Sequence, residues 1–166
     1  MYSYARHLGF SKETAMDAIH DIFVYIIVHE NHLPDIMNIR IYLFRALKNR
    51  LLNIIKQSPQ TIGLPDNENM TNEFSFTIDV TVEDIMIQEE EDEKIKRKVK
   101  KLLNILTDRQ REVIYLRYMQ ELEYEQIAEI MNITVPACRK LVHKAIAKLR
   151  ETGEIVILFY LMSKTI

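Results

Sequence analysis

Hydrophobic residues recur along this chain at helical rather than alternating intervals. From Lys12 to Val28, the residues Ala15, Ala18, Ile19, Ile22, Phe23 and Ile26 fall on one side of a helix. Ser11 stands before it as an N-cap, with Glu13 and Thr14 in the first turn. The segment His29–Asn38 contains Pro34 and reads as a loop. A second long helix is predicted from Ile39 to Lys56. Its buried members are Leu43, Ala46, Leu47, Leu51, Ile54 and Ile55, and its exposed face carries Arg40, Arg45, Lys48, Asn49 and Arg50. The periodicity then stops. Over residues 57–84, Pro59, Gly63, Pro65, Asn67, Asn69 and Asn72 punctuate the chain, as in a linker. A further helix is expected to begin near Val82 and to continue through KIKRKVKK to Leu103, where Glu-to-Lys spacing supports it.

The stretch from Leu106 to Arg150 carries the strongest pattern. Gln126 to Met131 places Ile127, Ile130 and Met131 on one face, and the small Ala128 permits close helix approach. Asn132 follows, a residue type that enters the left-handed conformation a tight helix-ending turn needs. Thr134 is placed as an N-cap, and Pro136 falls in the first turn of the next helix, where its missing N–H costs little. That helix has Cys138, Leu141, Val142, Ala145 and Leu149 as its buried stripe. Its other face carries Arg139, Lys140, His143, Lys144, Lys148 and Arg150, and no acid occurs between Glu129 and Glu151. A helix, a tight turn and a second helix with one uniformly basic face form a helix-turn-helix suited to a phosphate-lined groove. The basic face alone is more often an ordinary solvated surface, or a membrane-surface or calmodulin-target helix; the preceding helix, turn and cap favour DNA.

The predicted fold is all-α. Two helical domains, residues 1–56 and 94–154, are joined by an acidic linker over 57–93, and an apolar tail covers 155–166. The tail either packs back on the second domain or meets a partner. Charge sharpens this division. The net charge is only −2, yet no Lys or Arg occurs between Gln57 and Glu93, where eleven acids stand. From Lys94 to Arg150 the bases outnumber the acids roughly two to one. Such segregation points to nucleic acid. The single Cys138 excludes an internal disulfide, fits a reducing cytoplasm, and reads as a small core residue. No apolar run reaches membrane-spanning length, and no signal-peptide pattern opens the chain.

No catalytic constellation, metal site or cofactor site is expected. His29 and His32 have the spacing of a metal pair but lack further ligands, so they read as surface histidines. With three Gly in the chain there is no phosphate-cradling loop. The acids Glu13, Asp17 and Asp21 recur every fourth residue and line one face of the first long helix. Like charges so placed destabilise a helix by roughly 0.2–0.5 kcal/mol per pair. Such a stripe suits a basic partner, although an ordinary exposed face has the same composition.

Two helical modules around an acidic linker resemble a small sigma factor of the extracytoplasmic-function group, the bacterial RNA polymerase subunits that choose promoters. The resemblance covers roughly residues 2–56 and 99–151. The segment ETAMDAIHDIFVYI, with Asp17, Asp21 and Phe23, is similar to the polymerase-binding helix of sigma region two. YLFRALKNRLLNIIK resembles the helix that follows it, with Tyr42, Arg45 and Asn49 at matching positions. LTDRQREVIYLRYMQELEYEQIAEIMNIT resembles the start of sigma region four, with Leu106, Arg111, Glu112, Leu116, Arg117, Ile127 and Ala128 matching.

The resemblance implies roles. Glu13, Asp17 and Asp21 would face basic helices of core RNA polymerase. The loop 29–38 with Arg40, Tyr42, Arg45, Lys48 and Asn49 would hold the melted strand of the minus-ten element by stacking and backbone charge. Arg139, Lys140, His143 and Lys144 would enter the major groove of the minus-thirty-five element. The acidic linker would thread the RNA-exit path. The implied partners are core polymerase, promoter DNA and an anti-sigma or accessory factor, in the cytoplasm and without a membrane. The chain departs from the family in starting partway into region two, in having Pro136 where Gly is usual, and in having Leu141 where a base is common. The alternative is a stand-alone helix-turn-helix regulator whose N-terminal helices dimerise. The acidic stripe separates the two readings, because a dimerisation helix would be apolar there.

Overall fold

The computed structural model describes residues 1–29, 38–57, 75–77 and 101–152. Among these, every regular element is a helix and no strand occurs, so the fold is all-α. The chain divides into two compact units, Met1–Ser75 with Glu129–Met131, and Phe76–Ala128 with Asn132–Ile166. The interior of the expected loop at 30–37, nearly all of the expected linker, the helix expected over 82–100 and the tail 155–166 lie outside the described residues.

The first unit opens with a helix absent from the sequence expectation, α1 (Tyr2–His7). Six residues are too few to show a periodicity, yet Tyr4, Ala5, Leu8 and Phe10 are all buried. Gly9, at φ +85°, turns the chain between α1 and the next helix in a conformation that side chains rarely adopt. α2 (Lys12–Val28) then begins as the pattern predicts, the Ser11 hydroxyl accepting the Thr14 N–H at 3.1 Å. α2 buries Ala15, Ala18 and Ile22, and the two alanines let its backbone lie close to its neighbours. Phe23, expected in this stripe, is instead 46% exposed. At 100° per residue it lies a step round from Ile22, on the margin of the seam.

α3 (Ile39–Gln57) packs on both α1 and α2. Its buried residues are Ile41, Phe44, Leu47, Lys48 and Leu51. Leu43, Ala46, Ile54 and Ile55, expected in the core, are only half-buried. The seam is rotated because α1 covers the side that bears Phe44, whose ring centroid lies 5.2 Å from that of Tyr4. Lys48 lies on this covered side and is 8% exposed, so the expectation that it belongs to the open face is corrected.

In the second unit, residues 101–104 are helical and Leu102, Leu103 and Leu106 are buried. α4 (Asp108–Ile114) starts at a reciprocal capping box. Thr107 Oγ1 accepts the Gln110 N–H, and Gln110 Oε1 accepts the Thr107 N–H. The helix then widens into a π turn, Tyr115–Met119, and the chain closes back on it, the Leu122 N–H bonding to the Leu116 carbonyl at 3.1 Å. α5 (Tyr124–Met131) and α6 (Val135–Glu151) follow, and α6 packs against α4. Val113, Leu116, Leu122 and Ile127 are buried with the α6 stripe of Cys138, Val142, Ala145 and Leu149. Truncating one such Leu to Ala costs about 2–5 kcal/mol. Leu141, expected in the stripe, is half-buried, because it lies on the margin of the arc that the other four share. Phe76, from the stretch expected as linker, is 1% exposed in this unit, its ring 5.6 Å from Tyr115.

Candidate nucleic-acid interface

The turn between α5 and α6 is built as its residue types dictate. Asn132 adopts φ +52°, and the Ile133 N–H reaches back to the Ala128 carbonyl at 2.9 Å, ending α5. Thr134 starts α6, its hydroxyl accepting the Ala137 N–H at 3.3 Å, and Pro136 lies in the first turn. These devices fix the phase of α6. Cys138 and Val142 therefore point inward, and Arg139, Lys140, His143 and Lys144 are exposed together on the other face. Burial pushes the Cys138 thiol up from its ordinary value, with the charge of Glu125 adding to the effect, as suits a core residue.

Arg139 has contacts the sequence did not signal. Its Nη2 lies 3.3 Å from Glu125 Oε1, and its Cζ lies 5.5 Å from the centroid of the Tyr124 ring. The same ring receives Arg117, whose Cζ is 4.9 Å from the centroid. Arg117 Nη1 donates to the Leu122 carbonyl at 2.7 Å and lies 3.2 Å from Glu123 Oε1. Burial alone would lower the Arg117 guanidinium; the hydrogen bond and charge of Glu123 outweigh it and hold it above its ordinary value. Desolvation first, and then Tyr124, push the neighbouring Tyr118 up. The only hint in the sequence was an aromatic between two acids at the start of α5.

Residues 96–149 match the family model of sigma-70, region 4. The matched segment contains α4, α5 and nearly all of α6, and it supports a sigma-factor-like, DNA-binding role in transcription. The helices α1 to α3 lie outside it. No curated protein matches the chain.

In the first unit, the five residues expected to hold a single strand do not all share a face. Tyr42, Arg45 and Asn49 recur at i, i+3 and i+7 on one side of α3, with Tyr42 half-buried and the other two exposed. Arg40 is exposed but lies on the opposite side of the helix, and Lys48 is buried. Tyr42 and Asn49 line an open groove of about 710 Å³ between α2 and α3, together with Tyr25, His29, Arg50 and Asn53. The His29 ring stacks on Tyr25 at 4.2 Å and its Nδ1 lies 2.9 Å from the Tyr25 carbonyl oxygen.

The acids Glu13, Asp17 and Asp21 are all exposed along α2. Asp21 is engaged within the unit, accepting from Arg50 Nε at 3.0 Å and Nη2 at 2.6 Å. Hydrogen bonds from its own backbone N–H and from the Ser11 hydroxyl hold the Glu13 carboxyl below the usual range. Beside this acidic row, Met16, Phe23 and Ile27 form an exposed apolar row. No group of His, Cys, Asp and Glu suited to a metal occurs among the described residues, and none of their helices is long and apolar enough to cross a membrane.

Proposed function

We propose that this chain is a sigma factor of the extracytoplasmic-function type, working in the bacterial cytoplasm and directing core RNA polymerase to promoters. The observation that carries the reading is the region 4 match over a helix-turn-helix whose second helix exposes Arg139, Lys140, His143 and Lys144 together. These four residues read the minus-thirty-five element in the major groove. The first unit, centred on residues 1–56, serves as region two. Asp17, with Glu13 and Asp21, meets a basic surface of core polymerase, and the exposed Met16, Phe23 and Ile27 supply apolar contact beside the charges. The groove bearing Tyr42 and Asn49, with Arg45 along the same face, takes the unpaired minus-ten strand by stacking and phosphate contact. Arg40 and Lys48 have no place in that groove. An anti-sigma or accessory factor acts on the same surfaces, and the reading assigns no catalysis to the chain.

The deciding experiment reconstitutes the full chain with core polymerase and measures initiation on a library of genomic promoter fragments. Initiation from a defined subset, with the chain retained on core enzyme, is the expected result. Tight binding to double-stranded operators with no retention on core polymerase would replace this reading with a dimeric regulator.

A further inference from the structure

Within the proposed DNA-reading face, Arg139 is the residue tied to the other helix of the motif. Its guanidinium touches Glu125 at 3.3 Å and the Tyr124 ring at 5.5 Å. Tyr124 is in turn fixed from its own side. Arg117, with its side chain 26% exposed, is bonded to the Leu122 carbonyl and to Glu123 and lies against the same ring. A chain of contacts therefore runs from the hydrogen-bonded turn after the π segment, through Arg117 and Tyr124, to Arg139, and Glu125 closes it. Arg139 and Glu125 are each nearly two-thirds exposed, so their attraction is screened and adds little to stability. Their effect is geometric. An arginine on an open helix face has many rotamers of similar energy, whereas paired hydrogen bonds to a base edge need the guanidinium in one plane.

Glu125 also presents a negative charge beside a surface that must approach phosphates, which opposes affinity for any duplex. A contact that works against general affinity while holding one arginine is the mark of a device for discrimination. We infer that Glu125 and Tyr124 are positioning residues that set the plane of the Arg139 guanidinium and thereby fix the base preference at one position of the DNA site. This rests on the reading of α6 as the DNA-reading helix.

The test uses the full chain, alone and bound to core RNA polymerase. A duplex selected from a random pool is compared with its single-base variants and with mixed-sequence duplex. Arg139→Ala and Glu125→Gln should each lower preference at the same base pair by about tenfold or more. Glu125→Gln should leave mixed-sequence binding as tight or tighter. The double variant should discriminate no worse than Arg139→Ala alone. Tyr124→Ala should also lose the preference, and Tyr124→Phe, which keeps the ring, should rescue it. If Glu125→Gln keeps the full preference while Arg139→Ala loses it, the positioning role is overturned and α6 remains the reading helix. Uniform weakening by Glu125→Gln, with a lower melting temperature, would make Glu125 a structural residue and overturn the inference. If Arg139→Ala keeps the preference, or no duplex is selected in either form, both readings fall together.

Discussion

Asp21 accepts two hydrogen bonds from Arg50, through Nε at 3.0 Å and Nη2 at 2.6 Å, and so links α2 to α3. Both side chains are close to half exposed, so the pair contributes only about 0–1 kcal/mol to stability. Its consequence is for function. Part of the Asp21 charge is already answered inside the unit, whereas Asp17 stands one turn earlier on the same exposed row.

Asp17→Arg should therefore weaken capture of core polymerase more than Asp21→Asn does. Charge reversal at an interface sets like charges against each other, and a loss of roughly tenfold to a thousandfold is expected. The helix content of Asp17→Arg should be unchanged and its unfolding free energy should stay within about 0.5 kcal/mol of the parent, because the residue is exposed. Pull-down of core enzyme and circular dichroism measure the two quantities. Undiminished capture by Asp17→Arg would remove α2 from the polymerase interface.

Phe76 should prove part of the second unit's core rather than of a tether. Its ring is buried beside Tyr115 and its N–H donates to Asp108 Oδ1 at 3.1 Å. Phe76→Ala should destabilise that unit by about 3–5 kcal/mol, as for other buried aromatics cut to Ala. Denaturant titration of the full chain, followed by hydrogen exchange of α4 and α6, reads this directly. A loss below about 1 kcal/mol would mean that the ring occupies its place only weakly.

What was legible in the sequence was local. The left-handed Asn132, the Thr134 cap, the Ser11 cap and the phase of α6 each depend on neighbours within one or two turns. What was not legible depends on partners distant in the chain. α1 is too short for a period, and without it nothing shows that Ile41 and Phe44 face a neighbour, or that Lys48 is covered. Phe76 stands in a stretch without periodicity, and only contact with Tyr115 gives it a role. In the candidate interface the basic set on α6 could be read, but its link to Tyr124 and Glu125 crosses the turn and carries no spacing signal.

Two leucines of α6 separate core from margin. Leu149 is 1% exposed, whereas Leu141 is half-buried. Leu149→Ala should cost about 2–5 kcal/mol and Leu141→Ala clearly less, since it leaves a dent that water can enter rather than a closed cavity. Equal losses in thermal melts would show that Leu141 belongs to the central stripe after all.

Cys138 gives a probe of the same helix. The thiol is fully buried, and burial raises its pKa in the folded state. A raised pKa on an acid means that folding opposes the thiolate. Below the ordinary thiol range both states are neutral and stability is unaffected; as pH rises through and beyond about 8.5, the unfolded chain ionises first and stability falls. Alkylating reagents should label Cys138 slowly at neutral pH, in proportion to the small population of opened molecules, and rapidly in denaturant. Fast labelling of the native protein would mean that α6 opens locally far more often than its packing suggests.

Lys144 tests the face opposite that thiol. It is exposed two turns into α6 on the side shared with Lys140 and His143. If it meets a phosphate, Lys144→Ala should weaken binding to selected and mixed-sequence duplex alike, leaving base preference unchanged. The slope of log K against log salt should shrink by roughly one unit, because one fewer counterion is released. Arg139→Ala should differ in kind, changing the preferred base as well as the affinity. The contrast matters because both variants remove one positive charge from one helix face. A purely electrostatic surface would respond to them identically at every sequence and every salt concentration, and that result would reduce α6 from a reading helix to a basic patch.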